Sequence, residues 1–466
     1  MGRLIVVSNR VSVPDDRRGV RAGGLEVAIK AALKPRSGFW FGWSGRVGEP
    51  GPAKTVEHDN ISYITVDLRK ADHQEFYNGF ANSVLWPILH YRLDLAEFTR
   101  RDLSGYQRVN EFFALNIEKH LRADDVIWVH DYHLIPFAKA LRERGHKNKI
   151  GFFIHIPFPP PEIITALPNH ERLIASLCYY DLVGFQTKTD ADNFTRYLSD
   201  ECGLPRVSGG AFKFEGRIVR VGVFPVGVET DAFPRLARRA INTQFVRRVL
   251  DSLSGRAMII GVDRLDYSKG LPQRMEAYRR FLSSYPDWRS KVTYLQIAPR
   301  SRPDIPGYAE IGRQVGETAG RINGDFGEAD WTPIRYVNRA HSRTALAGLY
   351  RAARAALVTP LRDGMNLVAK EFVASQDADD PGVLILSRFA GAAHECKEAL
   401  LINPYDPEGV GNAINRALAM PREERRERHA AIFKVLAKND LTRWAGKFLD
   451  ALDAGEQRPM VRARAV

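Results

Sequence analysis

A chain of 466 residues, 44% hydrophobic and 26% charged, is too long for one growing core and too apolar to be disordered, so two globular domains are expected. Its net charge of +13 and pI near 9.6 attract anions. Yet the cations are dispersed, the densest run (422–428) alternates with glutamates as a solvated helix face does, and no zinc spacing, RNP sequence or basic zipper accompanies it, so a nucleic-acid partner is excluded.

In chain order, the apolar run 4–7 is too short for a signal-peptide core. Nowhere does a run approach 18 apolar residues, so no membrane partner and a cytoplasmic location are expected. Cys178, Cys202 and Cys396 show neither zinc nor redox spacing and suit a reducing compartment. Runs 3–7, 126–129, 150–155, 182–185 and 219–225 read as buried strands of a parallel sheet. Arg10 follows the first of these, Gly23 and Gly24 open a helix at 25–33, and the loop 12–22 between them could close over ligands.

A second series, 257–262, 292–297, 334–336, 355–359 and 383–387, repeats this grammar with helical segments such as 271–283. The fold class is therefore α/β, with two doubly wound, Rossmann-like domains. The break comes after the turn at 224–228, where a polar, helix-forming segment 234–252 begins. The domains are accordingly placed at 1–230 and 231–440. An amphipathic segment at 441–456 is expected to pack back on the first, with 457–466 a frayed tail.

Ligands of such folds bind outside the carboxyl ends of the strands. After the strand 257–262 comes Asp263-Arg264-Leu265-Asp266-Tyr267-Ser268-Lys269-Gly270. Its two cations suit a diphosphate, or else are surface cations bridged to Asp263 and Asp266. The strand 355–359 leads into a segment holding Asp363, Gly364, Asn366 and Glu371. Gly364 and Asn366 suit a tight turn opening a helix whose free N–H groups can hold phosphate oxygens. Asp363 would then bind sugar hydroxyls and Glu371 a ribose, the bland alternative being a capping Asp and a solvated Glu. His130-Asp131-Tyr132-His133 with His155 superficially looks like a metal cluster, but no further ligand motif joins it and no metal is expected. The run 48–55, G-x-x-x-x-A-K-T, is no P-loop: prolines interrupt it, the second glycine is missing, and a strand-like run follows.

Taken together, Ser8-Asn9-Arg10, Ala22-Gly23-Gly24-Leu25, Phe41-Gly42-Trp43-Ser44-Gly45, Phe76-Tyr77-Asn78-Gly79-Phe80-Ala81-Asn82, Leu85-Trp86-Pro87, the stretch 128–133, His155-Ile156-Pro157-Phe158-Pro159, 264–270 and 363–371 resemble the trehalose-6-phosphate synthases, retaining glycosyltransferases of family 20. The likeness spans almost the whole chain, in order. It implies the GT-B fold, two Rossmann-like domains facing a central cleft. It implies glucose transfer from UDP-glucose to glucose 6-phosphate, giving α,α-trehalose 6-phosphate, with no cofactor and no metal.

Carried over residue by residue, the resemblance gives Arg10, Tyr77, Trp86, Asp131 and Arg302 to the acceptor. Gly23, Gly24, His155, Arg264, Lys269, Asp363, Asn366, Leu367, Val368 and Glu371 go to the donor. Asp131, His155, Arg264, Lys269 and Asp363 form the catalytic set. No carboxylate is an obvious nucleophile, so front-face attack is expected, with the leaving phosphate taking the acceptor proton. The family's habit implies a homo-oligomer, although no heptad pattern is visible. The alternatives are a GDP-glucose-preferring synthase, a pseudo-glycosyltransferase of the validoxylamine phosphate synthase type and a non-catalytic sugar-phosphate sensor.

Overall fold

The structure, a computed structural model, describes residues 2–14, 24–302 and 305–454. Gly23, most of the loop 12–22 and the tail 457–466 lie outside the described residues. The described chain divides into two compact units, one built from residues 2–14, 25–225 and 442–454, the other from residues 24, 226–302 and 305–441.

The first unit holds a nine-stranded sheet. Its strands are β1 (Leu4–Arg10), β2 (Gly38–Val47), β3 (Lys54–His58), β4 (Ile61–Leu68), β5 (Val126–His130), β6 (Lys149–Phe153), β7 (Leu182–Phe185), β8 (Phe212–Phe214) and β9 (Arg217–Val223), in the order β3-β4-β2-β1-β5-β6-β7-β9-β8. All neighbours run parallel except β3 on β4 and β8 on β9. Strand β1 is central because it is apolar throughout: Leu4, Ile5, Val6 and Val7 are fully buried, as a strand covered on both faces requires. From β1 the chain runs outward to β2 and β4, then returns to lay down β5 on the other side. That reversal between β1 and β5 is a topological switch point.

The second unit has six parallel strands, β10 (Ala257–Val262), β11 (Val292–Ile297), β12 (Ile334–Val337), β13 (Ala355–Val358), β14 (Val383–Ser387) and β15 (Leu400–Ile402). Their order is β12-β11-β10-β13-β14-β15, the 3-2-1-4-5-6 winding of a Rossmann sheet, with its switch point between β10 and β13.

Several expected boundaries are corrected. The first strand continues through Arg10, which closes it rather than following it, and the strand expected at 150–155 ends at Phe153, leaving His155 in the loop beyond. The polar segment 234–252 is two helices, Ala232–Ala240 and Gln244–Asp251, because the backbone breaks at the turn before Thr243.

The helix Leu441–Asp453 lays Phe448 across the first unit's sheet, 4.8 Å from the Trp128 ring, 5.8 Å from Phe153 and 5.1 Å from Phe224. Gly184 makes room for it, since a Cβ there would stand 2.7 Å from Phe448. Trp444, on the same helix, meets Trp128 at 5.0 Å and Phe153 at 5.1 Å.

Candidate active site

In the first unit the strand ends carry an aromatic row. Arg10, exposed at the end of β1, lays its guanidinium 5.9 Å from the Trp43 ring. It passes close to Gly45, where a Cβ would lie 2.8 Å from Nε, and the turn's φ of +84° there favours glycine. Trp43 meets Tyr77 at 5.9 Å, Tyr77 stacks on His133 at 5.8 Å with 10° between the planes, and His133 meets Tyr132 at 4.0 Å. Trp86 closes the row, 5.7 Å from Tyr132.

Tyr77 is presented by an unusual element. The segment His73–Leu85 winds as a π-helix, with hydrogen bonds to the fifth residue back, and such wide turns recur at functional sites. Side chains reinforce it: Asn82 Nδ2 donates to Tyr77 O and Ser83 Oγ to Asn78 O, each at 2.8 Å. Asn82 Oδ1 in turn accepts from the Tyr132 hydroxyl at 2.7 Å. The motif around Tyr77 therefore couples the π-helix to the loop after β5.

That loop begins with Asp131, whose backbone takes φ 78°, ψ 164°. Its N–H donates to Phe153 O at 2.8 Å, and its Oδ1 accepts the backbone N–H of His155 at 3.2 Å. His130 Nδ1 lies 3.0 Å from His155 Nε2. Burial depresses both imidazoles, His155 to about 3 and His130 well below its ordinary value, so both are neutral at physiological pH. Among the described residues no group of three or more His, Cys, Asp and Glu side chains is arranged to hold a metal ion.

In the second unit, buried Asp263 follows β10, and Arg264 comes next, exposed. Asp266, completely buried, caps the next turn by accepting Ser268 N–H at 3.0 Å. Its Oδ2 lies 3.7 Å from Arg264 and 3.8 Å from Arg302, so one carboxylate organises both guanidiniums. Arg302 is thus built into the second unit beside Arg264, apart in sequence and in unit from Arg10, Tyr77, Trp86 and Asp131. Lys269 Nζ lies 2.5 Å from Asp363 Oδ2, which also accepts Asn366 Nδ2 at 3.0 Å.

Asn366, at φ 79°, caps the helix Leu367–Ser375 by accepting Ala369 N–H at 3.2 Å. This leaves the amides of Leu367 and Val368 at the positive end of the helix. Glu371 stands in the second turn of that helix, half-buried, and burial lifts it to about 7 against the opposing pull of Arg343. Gly24 begins the helix Gly24–Leu33, and Gly23 is outside the described residues.

Beneath these groups lies a residue that nothing in its local sequence singles out. Arg274, fully buried on the helix Leu271–Ser284, pairs with Asp263 at 2.8 Å. It also donates to Thr359 Oγ1 at 2.8 Å, Gln296 Oε1 at 3.0 Å and Lys269 O at 3.3 Å. One guanidinium thereby ties the ends of β10, β11 and β13 together.

The profile of glycosyltransferase family 20 matches residues 3–454. A trehalose-6-phosphate synthase of Sinorhizobium fredii is 52% identical over 462 residues, 98% of this chain and 100% of the relative. The crystal structure of an α,α-trehalose-phosphate synthase (UDP-forming) from Burkholderia vietnamiensis matches with a TM-score of 0.94 at 47% identity, covering 97% of this chain and 99% of that one. One from Burkholderia xenovorans, in complex with glucose-6-phosphate, matches with a TM-score of 0.93 at 47% identity, covering 97% and 100%. An E. coli structure bound with UDP-2-fluoro glucose matches with a TM-score of 0.92 at 46% identity, covering 97% and 99%. The chain belongs to glycosyltransferase family 20 and has the GT-B fold of two doubly wound α/β units.

Proposed function

We propose that this chain transfers glucose from UDP-glucose to glucose 6-phosphate with retention, giving α,α-trehalose 6-phosphate and UDP, without a metal ion. The observation that carries this reading is the second unit's strand-end assembly, in which Arg264, Lys269, Asp363 and the Asn366-capped helix start are all present. Relatives of nearly full length and about half-identical sequence are trehalose-6-phosphate synthases, and the similar Burkholderia vietnamiensis structure is of a UDP-forming one.

Arg264 and Lys269 hold the donor diphosphate, assisted by the amides of Asn366, Leu367 and Val368 and by Gly23 and Gly24. Glu371 accepts from the ribose hydroxyls, and Asp363 and His155 contact the transferred glucose. Arg10, Tyr77 and Arg302 bind the acceptor phosphate, while Trp86 and Asp131 shape the place of its sugar. Two guanidiniums and a phenol suit a phosphate dianion, each charge-assisted bond contributing about 1.5–3 kcal/mol.

In the reaction the anomeric hydroxyl oxygen of the acceptor bonds to C1 of the donor glucose as the bond from C1 to the diphosphate breaks on the same face. The departing phosphate oxygen takes the acceptor proton. Arg264 and Lys269 stabilise the charge that grows on UDP, in a preorganised site where such stabilisation is strongest. The unpaired thiols Cys178, Cys202 and Cys396 suit a cytoplasmic protein, and the same reading takes it to be a homo-oligomer, which light scattering tests.

The test mixes purified protein with glucose 6-phosphate and, separately, UDP-, GDP- and ADP-glucose without added metal, following nucleotide release and product mass. A disaccharide phosphate formed with UDP-glucose is expected. Preference for GDP-glucose would correct the base, and nucleotide binding without product from any donor would overturn the reading.

A further inference from the structure

His130 is fully buried at the end of β5, with its Nδ1 3.0 Å from Nε2 of His155. Two neutral imidazole nitrogens joined by a hydrogen bond share one proton, so either His130 donates and His155 accepts, or the reverse.

The rest of the His130 ring distinguishes the two. Its Nε2 is buried without a partner. The indoles of Trp128 and Trp444 lie beside it, ring centres 4.5 and 6.4 Å away, and each buries an N–H that also lacks an acceptor. Were His130 to accept at Nδ1, its own proton would sit on Nε2 and add a further orphan N–H among orphan donors. Buried N–H groups without partners are the rarer and costlier kind. With the proton on Nδ1, Nε2 instead carries a lone pair and adds no orphan N–H to those of the two indoles.

We infer that His130 is a positioning residue whose Nδ1–H donates to Nε2 of His155, fixing His155 as the tautomer that carries its proton on Nδ1. This rests on the reading that His155 touches the donor glucose, and it specifies the contact: His155 offers that sugar a neutral N–H donor, directed at an oxygen. The ring is braced for the purpose by Phe153 at 4.7 Å and Trp444 at 6.0 Å. Trp444 belongs to the distant helix Leu441–Asp453, so the end of the chain contributes to holding a residue of the donor site.

The pair His130→Asn and His130→Asp, equal in size, separates the alternatives. Asn keeps an amide N–H near the position of Nδ1, whereas Asp offers only acceptors and would draw the His155 proton onto Nε2. Protein labelled with ¹⁵N-histidine, with His155→Gln assigning the signal, should show His155 protonated at Nδ1 in the unaltered chain and in H130N, and at Nε2 in H130D. Turnover should follow: kcat/KM for UDP-glucose within about fivefold for H130N and about 10²-fold lower for H130D, the range lost when an orienting partner is changed.

A proton on Nε2 of His155 in the unaltered protein, or equal losses in both variants, overturns the inference. Should H130D fail to fold, the spectrum of the unaltered protein decides alone. Should the unaltered protein form no disaccharide with any donor, the proposed reaction falls while the tautomer is still read.

Discussion

Lys269 Nζ and Asp363 Oδ2 lie 2.5 Å apart, joining the segment after β10 to the turn after β13. Because those strands are hydrogen-bonded neighbours, the ammonium is held at the switch point of the sheet, where ligands of doubly wound folds bind. Asp363 is pinned in turn by Asn366, which also caps the following helix. The cation is therefore oriented before any diphosphate arrives. Lys269→Ala and Arg264→Ala should each lower kcat by about 10²–10³, the usual loss when a preorganised charge stabiliser is removed. Steady-state rates with UDP-glucose check this, and unchanged turnover in both variants would remove the assignment.

Arg10 is the counterpart proposed for the acceptor. It stands on the end of β1 against Trp43 and Gly45, and the described residues hold no carboxylate ion-paired with it. Arg10→Ala should raise KM for glucose 6-phosphate by about 10- to 100-fold, corresponding to one charge-assisted bond. KM for UDP-glucose should move little. Parallel rises in both constants would show that Arg10 supports the fold of the site rather than a phosphate.

The parts of this architecture that were legible in the sequence share a cause. Strands such as β1, β10 and β13 are buried on both faces, so they appear as unbroken apolar runs. The turns proposed to hold the donor were legible as turns because one short stretch of chain holds both the bend and its polar groups. Strand β2, G-F-W-F-G-W-S-G-R-V, escaped because glycines and tryptophans blur its period, although it is a direct neighbour of β1. The π-helix has no sequence period of its own. Trp43 and His133 acquire their place only from a row assembled across distant segments. The signal that could have found Trp43 was its position inside F-G-W-S-G, and for His133 it was H-D-Y-H. Arg274 sits in an ordinary helix, and nothing local says that it reaches three strands.

That reach makes Arg274 a stability prediction. Both it and Asp263 are buried, so truncating one leaves the other charge unpaired, which costs about 3–5 kcal/mol. Arg274→Ala should lower Tm by roughly 10 °C for a unit of this size. Changing both partners, Asp263→Leu with Arg274→Met, should recover much of that loss. Thermal denaturation of the unaltered protein and the two variants tests it, and an unchanged Tm for Arg274→Ala would show that the pair is dispensable.

Asp131 offers a test of role. Its Oδ1 accepts the backbone N–H of His155, a bond that an asparagine oxygen can also accept. If Asp131 positions, Asp131→Asn should lower kcat/KM by at most about tenfold, the cost of weakening one charged hydrogen bond. The limbs of the pH–rate profile should stay where they are. Loss of the acidic limb in this variant would instead assign Asp131 a proton-transfer role. His155, depressed to about 3, contributes no limb near neutrality.

Glu371, proposed to bind the ribose, carries a stability cost that pH exposes. Burial lifts its carboxyl to about 7, above the ordinary value of 4.5 that the unfolded chain would show. The folded state therefore holds this proton more tightly, and stability falls as pH rises from 4.5 through 7, because the buried group must ionise. Glu371→Gln removes that cost. Its Tm should exceed that of the unaltered protein by several degrees at pH 8, and the gap should narrow through pH 7 and vanish toward pH 4.5. The same variant should bind UDP-glucose more weakly at pH 8, since an amide oxygen accepts ribose hydroxyls less strongly than a carboxylate. A gap in Tm that does not change with pH would mean that Glu371 carries no raised carboxyl. Unchanged UDP-glucose affinity would mean that its charge is not spent on the ribose.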